Sequence, residues 1–353
     1  MKRIALPTLF LALLLGAVAF RSPQDHPSEV SRVLATYAPP ARDPGSAAAM
    51  AVAARAFLAS LDDDLRAKCA LTLDSPERTN WTNVPPSANE GGARLGDLSE
   101  DQLERACDLL ATVLSPQGYA KMRDIMLADD RLLRGGAPRV GFGAENFWLV
   151  IFGEPSADEA WALQLDGHHI ALNLAFDGEH ATMSPSFIGT QPSSYRRADA
   201  EIVPLRGEVV DGFALVNSLS EDQREAAILG PKRGRILAGP GRDGVVPTPE
   251  GVACSTFDED QRALLAKLLR HFVGDLPQPI ADRRMRALEA EIDEMVFAWS
   301  GPTDNPSDVS YRVQGPSVIV EYACQDLGGN PLDHLHSMYR DPTNEYGAAF
   351  AGD

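Results

Sequence analysis

The feature that most limits what this chain can fold into is the sorting of helical and extended patterns into separate blocks. One short signature, Ser99-Glu-Asp-Gln102, recurs as Ser220-Glu-Asp-Gln223 and Asp258-Glu-Asp-Gln261, each time ahead of an apolar run. A Ser or Asp there accepts from the third helical amide while Gln reaches back to the cap, so each copy reads as a helix start. The acidic pair that follows suits the positive end of the helix dipole. Spacing between the copies is irregular, which argues against a repeat protein. Apolar spacing near 3.6 predicts further helices from Ala47 to Leu71 and from Ile280 to Glu294.

The extended blocks fall between these helices. Asn146 to Gly153 reads as a buried strand. Trp161 to Asp166 and His168 to Phe176 alternate, and a bulge at Gly167 would join them into one strand. Met295–Trp299, Ser310–Gln314 and Ser317–Cys324 form an antiparallel meander with turns at Gly301-Pro302 and Gly315-Pro316. Without regular βαβ alternation, the class is α+β: a central, mainly antiparallel sheet flanked by helices in a single large domain.

The start of the chain is of another kind. Lys2 and Arg3 precede an apolar run from Ile4 to Phe20, with small residues at Ala17 and Ala19. This is the pattern of a cleavable signal peptide over residues 1–19, followed by a flexible leader over 20–46 and the α+β domain over 47–353. The run falls just short of a stable membrane span and is interrupted by Pro7. The expected location is secreted or periplasmic. A net charge of −18 makes nucleic acid a poor partner. Four cysteines, Cys69, Cys107, Cys254 and Cys324, make an even number for an oxidising compartment, with Cys69–Cys107 the mildest pairing of three possible connectivities.

Chemistry concentrates in two histidine segments, Gly167-His168-His169-Ile170 and Asp333-His334-Leu335-His336. Adjacent strand residues point to opposite faces, so on a strand at most one of His168 and His169 joins a shared site. In extended chain His334 and His336 face the same way. Together they offer a nitrogen set suited to one divalent transition metal, with zinc, copper and iron not distinguished. Glu321, mid-strand in Val-Ile-Val-Glu-Tyr, reads as a base or ligand, or as the ion-pair partner of Arg312 or Arg340. Arg340 is a candidate grip for a carboxylate, or else a pin for the C-terminal loop. Arg78, Trp81, Arg312 and Asn344 complete a set of candidate substrate contacts; Trp81 also reads as a packing anchor. His180 and His271 receive no role.

Several phrases taken in order resemble a known family. They include Arg78-Thr-Asn-Trp81, Leu98-Ser-Glu-Asp-Gln102, Trp161 through His169, Phe187-Ile-Gly-Thr-Gln-Pro192, Ile319-Val-Glu-Tyr322, His334-Leu-His336 and Tyr339-Arg-Asp-Pro through Gly347. The set resembles the uncharacterised, mostly bacterial family called domain of unknown function 3500, from about Val52 to Gly347. Glu345 stands where that pattern has Asp. The resemblance implies that both histidine segments, the Glu321 strand and the Arg340 loop belong to one domain, and it brings no activity. Two readings follow from the residues themselves. One is a metal-dependent hydrolase acting on a small-molecule or peptide-like ligand. The other is a ligand-binding or interaction protein without turnover. A metal-free acid–base enzyme using His336 and Glu321 is a third.

Overall fold

A computed structural model describes residues 27–40, 45–85, 91–134, 141–231, 236–304, 308–326 and 330–350. The expected signal peptide lies outside them. The helices are α1 (Glu29–Thr36), α2 (Ala47–Ser60), α3 (Asp63–Cys69), α4 (Glu100–Val113), α5 (Pro116–Arg134), α6 (Arg206–Ser218), α7 (Glu221–Ala227), α8 (Glu259–Val273) and α9 (Gln278–Ala290). All three capping boxes form as expected, ahead of α4, α7 and α8. The predicted helix over Ala47–Leu71 is two helices, because Asp62 caps a new start by accepting from Leu65 N. Within the expected leader, Ser28 caps α1, whose Val30, Val33 and Leu34 are buried at helical spacing. That part of the leader belongs to the core.

The long strands are β1 (Phe147–Phe152), β2 (Trp161–Gly167), β3 (Ile170–Asp177), β4 (Ser186–Thr190), β5 (Val296–Ser300), β6 (Ser310–Gln314), β7 (Ile319–Cys324) and β8 (Leu335–Arg340). They run in the order β1-β2-β3-β4-β8-β7-β6-β5, and every neighbouring pair in this run is antiparallel. The α+β expectation is therefore met. One expectation is not: β2 and β3 are separate strands of a hairpin, with Gly167 paired to Ile170 and His168-His169 as the two-residue turn.

Strand alternation gives the sheet two unlike faces. The row Leu165, Leu172, Tyr339, Val320, Val313 and Phe297 packs in the main core with the helices. The opposite row runs Asp166, Ala171, Phe187, Met338, Glu321 and Arg312. Its apolar members pack against Trp81, Ala238, Ile236 and Tyr346 from covering loops. This second face carries most of the buried polar side chains that sequence analysis singled out.

The element order carries an internal duplication that the spacing of the short signature does not reveal. A short strand (Ala93–Arg94), a 3-10 turn (Leu95–Asp97), α4, α5 and β1–β4 make the first series. Val252–Ala253, Cys254–Thr256, α8, α9 and β5–β8 make the second, in the same order. Each series is preceded by a helix pair, α2–α3 or α6–α7, leading into a parallel contact with its first long strand, Ala70–Leu71 on β1 and Ile228 on Trp299. The fourth strands, β4 and β8, pair antiparallel, which gives the domain an approximate internal two-fold. Only scraps of sequence echo it: Glu-Asp-Gln opening α4 and α8, and Pro116-Gln117 against Pro277-Gln278.

No disulfide forms: all four cysteines are free and buried. Each sits in its own packed environment, and burial pushes Cys69 and Cys254 up to about 12 and Cys107 to about 11. Alkylation of the unfolded chain without reductant should therefore modify four thiols, and alkylation of the native chain none. An intact mass showing fewer than four adducts after unfolding would reveal a disulfide.

Candidate metal centre

The histidine site lies at one end of the β4–β8 seam. His169 occupies the β2–β3 turn with φ 69, in the left-handed region, which costs a non-glycine residue about 1 kcal/mol. Three bonds hold it there: His169 N donates to Asn83 O at 3.1 Å, Gly189 N donates to His169 O at 2.7 Å, and the side chain meets His334. His336 faces Gly189 across the seam, and His334 immediately precedes β8.

The structure brings the four predicted histidines together. His169 Nε2 is 2.8 Å from His334 Nε2. Ring centroids are 5.2 Å apart for His169 and His336 and 4.7 Å apart for His334 and His336. One ligand atom from each of these three lies within 4.8 Å of the others. The Nε2 of His336 is sealed from solvent and has no hydrogen-bond partner, although the residue as a whole is only half-buried. Such an orphaned lone pair or N–H is costly unless something occupies the site. Burial, followed by neighbouring imidazoles, holds both His169 and His336 well below the usual histidine value, so both are neutral at neutral pH.

Of the pair only His169 joins the three-histidine set, although the reason is a turn and not strand alternation; His168 is directed to the helical layer. Its ring rests on His169 with centroids 3.7 Å apart, and its Nδ1 lies 2.5 Å from Asp129 Oδ1 on α5. Asp129 was missed. It sits in a long amphipathic helix, and nothing local in the sequence distinguishes it from a surface acid. Asp166 was missed too; burial raises it to about 7 against the opposing bond from Thr82 N.

The remaining candidates are placed elsewhere. Glu321, on β7, stands opposite Met338, two residues along β8 from His336 and on the same face, but its carboxylate accepts from Ala238 N at 2.6 Å. Burial raises its pKa; the amides of Ala238 and Leu237, then Arg312 and Arg340, oppose that rise. Arg312 donates to Thr248 O and Glu250 and lies 3.9 Å from Glu321. Arg340 donates to Glu345 and to Val245 O, the loop-pinning alternative. Arg78 donates to Leu73 O and Tyr346 O, Trp81 donates to the Tyr346 hydroxyl, and Asn344 accepts from Ala349 N. The bonds of Glu321, Arg312 and Arg340 tie covering loops to the sheet, those of Arg78, Trp81 and Asn344 tie loop and turn segments together, and none of them reaches a histidine. His271, given no role, pairs with Asp211 at 2.5 Å.

A family model described as "Protein of unknown function (DUF3500)" matches residues 43–348. The chain belongs to this family. No curated protein and no solved structure matches it. Family membership assigns no reaction, so the chemistry of the centre is read from its donors.

Gly189 is the packing condition for the centre. A Cβ at this position would stand 2.8 Å from a ring carbon of both His169 and His336 and 2.9 Å from Leu335 O. Gly189→Ala should lower stability by about 1–3 kcal/mol in denaturant titration, the usual cost of overpacking; an unchanged midpoint would mean that the rings are not packed as described. Acidification gives a second check. The unfolded histidines take up protons near 6.5 while folded His169 and His336 resist them. Their contribution is therefore complete above that pH and lost as pH falls towards the depressed folded values. Metal-free protein should lose stability below about pH 6.5, and His336→Gln should shallow the loss; parallel profiles for the two proteins would contradict it.

Proposed function

We propose that this is an exported metal-dependent protein in which His169, His334 and His336 hold one divalent transition ion for hydrolysis of a small or peptide-like substrate. The observation that carries the reading is the convergence of three imidazoles, one of them with an unpartnered Nε2. An all-nitrogen set fits zinc, copper or iron and ill suits magnesium or calcium, which prefer oxygen. Two nitrogens at 2.0–2.1 Å from a tetrahedral ion stand about 3.3–3.4 Å apart. The 2.8 Å between His169 and His334 then opens by roughly half an ångström, a small ring movement. Three protein ligands leave a fourth position for water, which the ion would activate as a nucleophile.

Export rests on the apolar run Ile4–Phe20 behind Lys2 and Arg3. Among the described residues no helix is long and apolar enough to cross a membrane.

A second reading, ion or ligand binding without turnover, draws on a specific observation. Arg340, Arg312, Arg78 and Asn344, the expected substrate contacts, are engaged with loop groups instead. Elemental analysis of protein purified without chelator tests the metal centre directly. One ion per chain, falling for His336→Ala, is expected; no ion in either protein would end the proposal. Peptide and ester hydrolysis that is lost on chelation and restored by zinc supports turnover, whereas stoichiometric metal with no hydrolysis selects the binding reading. N-terminal sequencing of the exported protein should begin near residue 20, and an intact Met1 would contradict cleavage.

A further inference from the structure

The histidine turn is gripped from the helical layer. Asp129 is 1 % exposed; its Oδ1 faces His168 Nδ1 and its Oδ2 accepts from Gly143 N at 2.6 Å. His168 in turn lies against His169 at an interplanar angle of 31°. Asp129, His168 and His169 also converge within 4.8 Å, so a second ion is one reading of them. Both Asp129 oxygens are already engaged, Oδ1 with His168 Nδ1 and Oδ2 with Gly143 N, whereas the three-histidine site leaves His336 Nε2 without a partner; the acid–imidazole pair therefore reads as a hydrogen bond.

The internal two-fold supplies a comparison. In the second half the corresponding turn, between β6 and β7, contains Ser317, whose hydroxyl donates at 2.6 Å to Glu291, directly after α9. Both halves therefore use an acid to hold the turn between the second and third strands, one inside the second helix of its series and the other directly after it. Only in the first half does the gripped side chain rest on an imidazole of the metal centre. The shared grip is architectural; the stacked histidine is the addition.

We infer that Asp129 and His168 are positioning residues for the ion: together they fix the plane of His169 so that its Nε2 stays directed at His334 and His336. The inference rests on the metal reading of the three-histidine site. Second-sphere partners of ligating histidines commonly affect affinity by about 10–100-fold.

The test uses the full chain loaded with Co(II), measuring affinity by chelator competition, the visible absorption of bound Co(II), and metal-free thermal stability in parallel. Asp129→Ala should bind Co(II) about 10–100-fold more weakly with a shifted absorption band. Asp129→Asn, able to accept from Gly143 and still meet Nδ1, should recover most of the affinity. Glu291→Ala, the counterpart change, should lower metal-free stability and leave affinity unchanged. Should Asp129→Ala fail to fold, His168→Gln keeps an amide towards Asp129 while removing the stacked ring, and should show the same weakening. Wild-type affinity and spectrum in Asp129→Ala or His168→Gln would overturn the inference, as would two Co(II) per chain. Absence of binding by the unaltered protein would instead remove the metal reading itself, before any variant is compared.

Discussion

The pairing of β4 with β8 is the constraint on which the rest of the structure depends. It joins the two halves into one sheet and fixes the register that sets Gly189 opposite His336. A slip of one residue would turn His336 towards the helical core and Leu335 towards the loops. Register is secured because both faces are buried and unlike: Tyr339 must meet the core and Met338 the loop-covered face. The position of the candidate site is thus a consequence of sheet assembly. One histidine segment comes from the first half and the other from the second.

Burial explains why the cluster is suited to be a set of ligands. Imidazoles packed against one another in a poorly hydrated site cannot share several positive charges, so His169 and His336 stay neutral. Neutral nitrogens at this density need protons to share or an ion to bind. His169 and His334 can share one proton across 2.8 Å, but His336 Nε2 has no such partner. The arrangement is costly for a metal-free core and well matched to an ion. The same logic accounts for the long polar groups on this face. Arg312, Arg340 and Glu321 are buried, and each meets loop backbone or an acid, so they hold the covering loops down.

Much of this was legible in the sequence. Capping boxes announced their helices because the signal is local, and β6 was predicted residue for residue by its alternation and its flanking turns. His334-Leu-His336 was read correctly as a same-face pair, since β8 is regular there. The His168-His169 turn was not read: both halves of the hairpin alternate, and only a left-handed histidine distinguishes a two-residue turn from a bulge. Asp129 lies 39 residues from His168, and only the packing of α5 on the sheet brings them together. The internal two-fold escaped notice because it survives in the order of elements while loop lengths differ. The spacing of Val30, Val33 and Leu34 was readable, and composition rich in Pro and Ser concealed it.

The central claim is that imidazoles from both halves meet at one ion. Anomalous diffraction at the zinc absorption edge, from crystals of the full chain grown with zinc, tests it most directly. The account predicts one strong peak in bonding range of Nε2 of His169, His334 and His336, with His168 still bonded to Asp129. An empty histidine cluster in zinc-containing crystals, or an ion seated elsewhere while these rings remain in mutual contact, would contradict it.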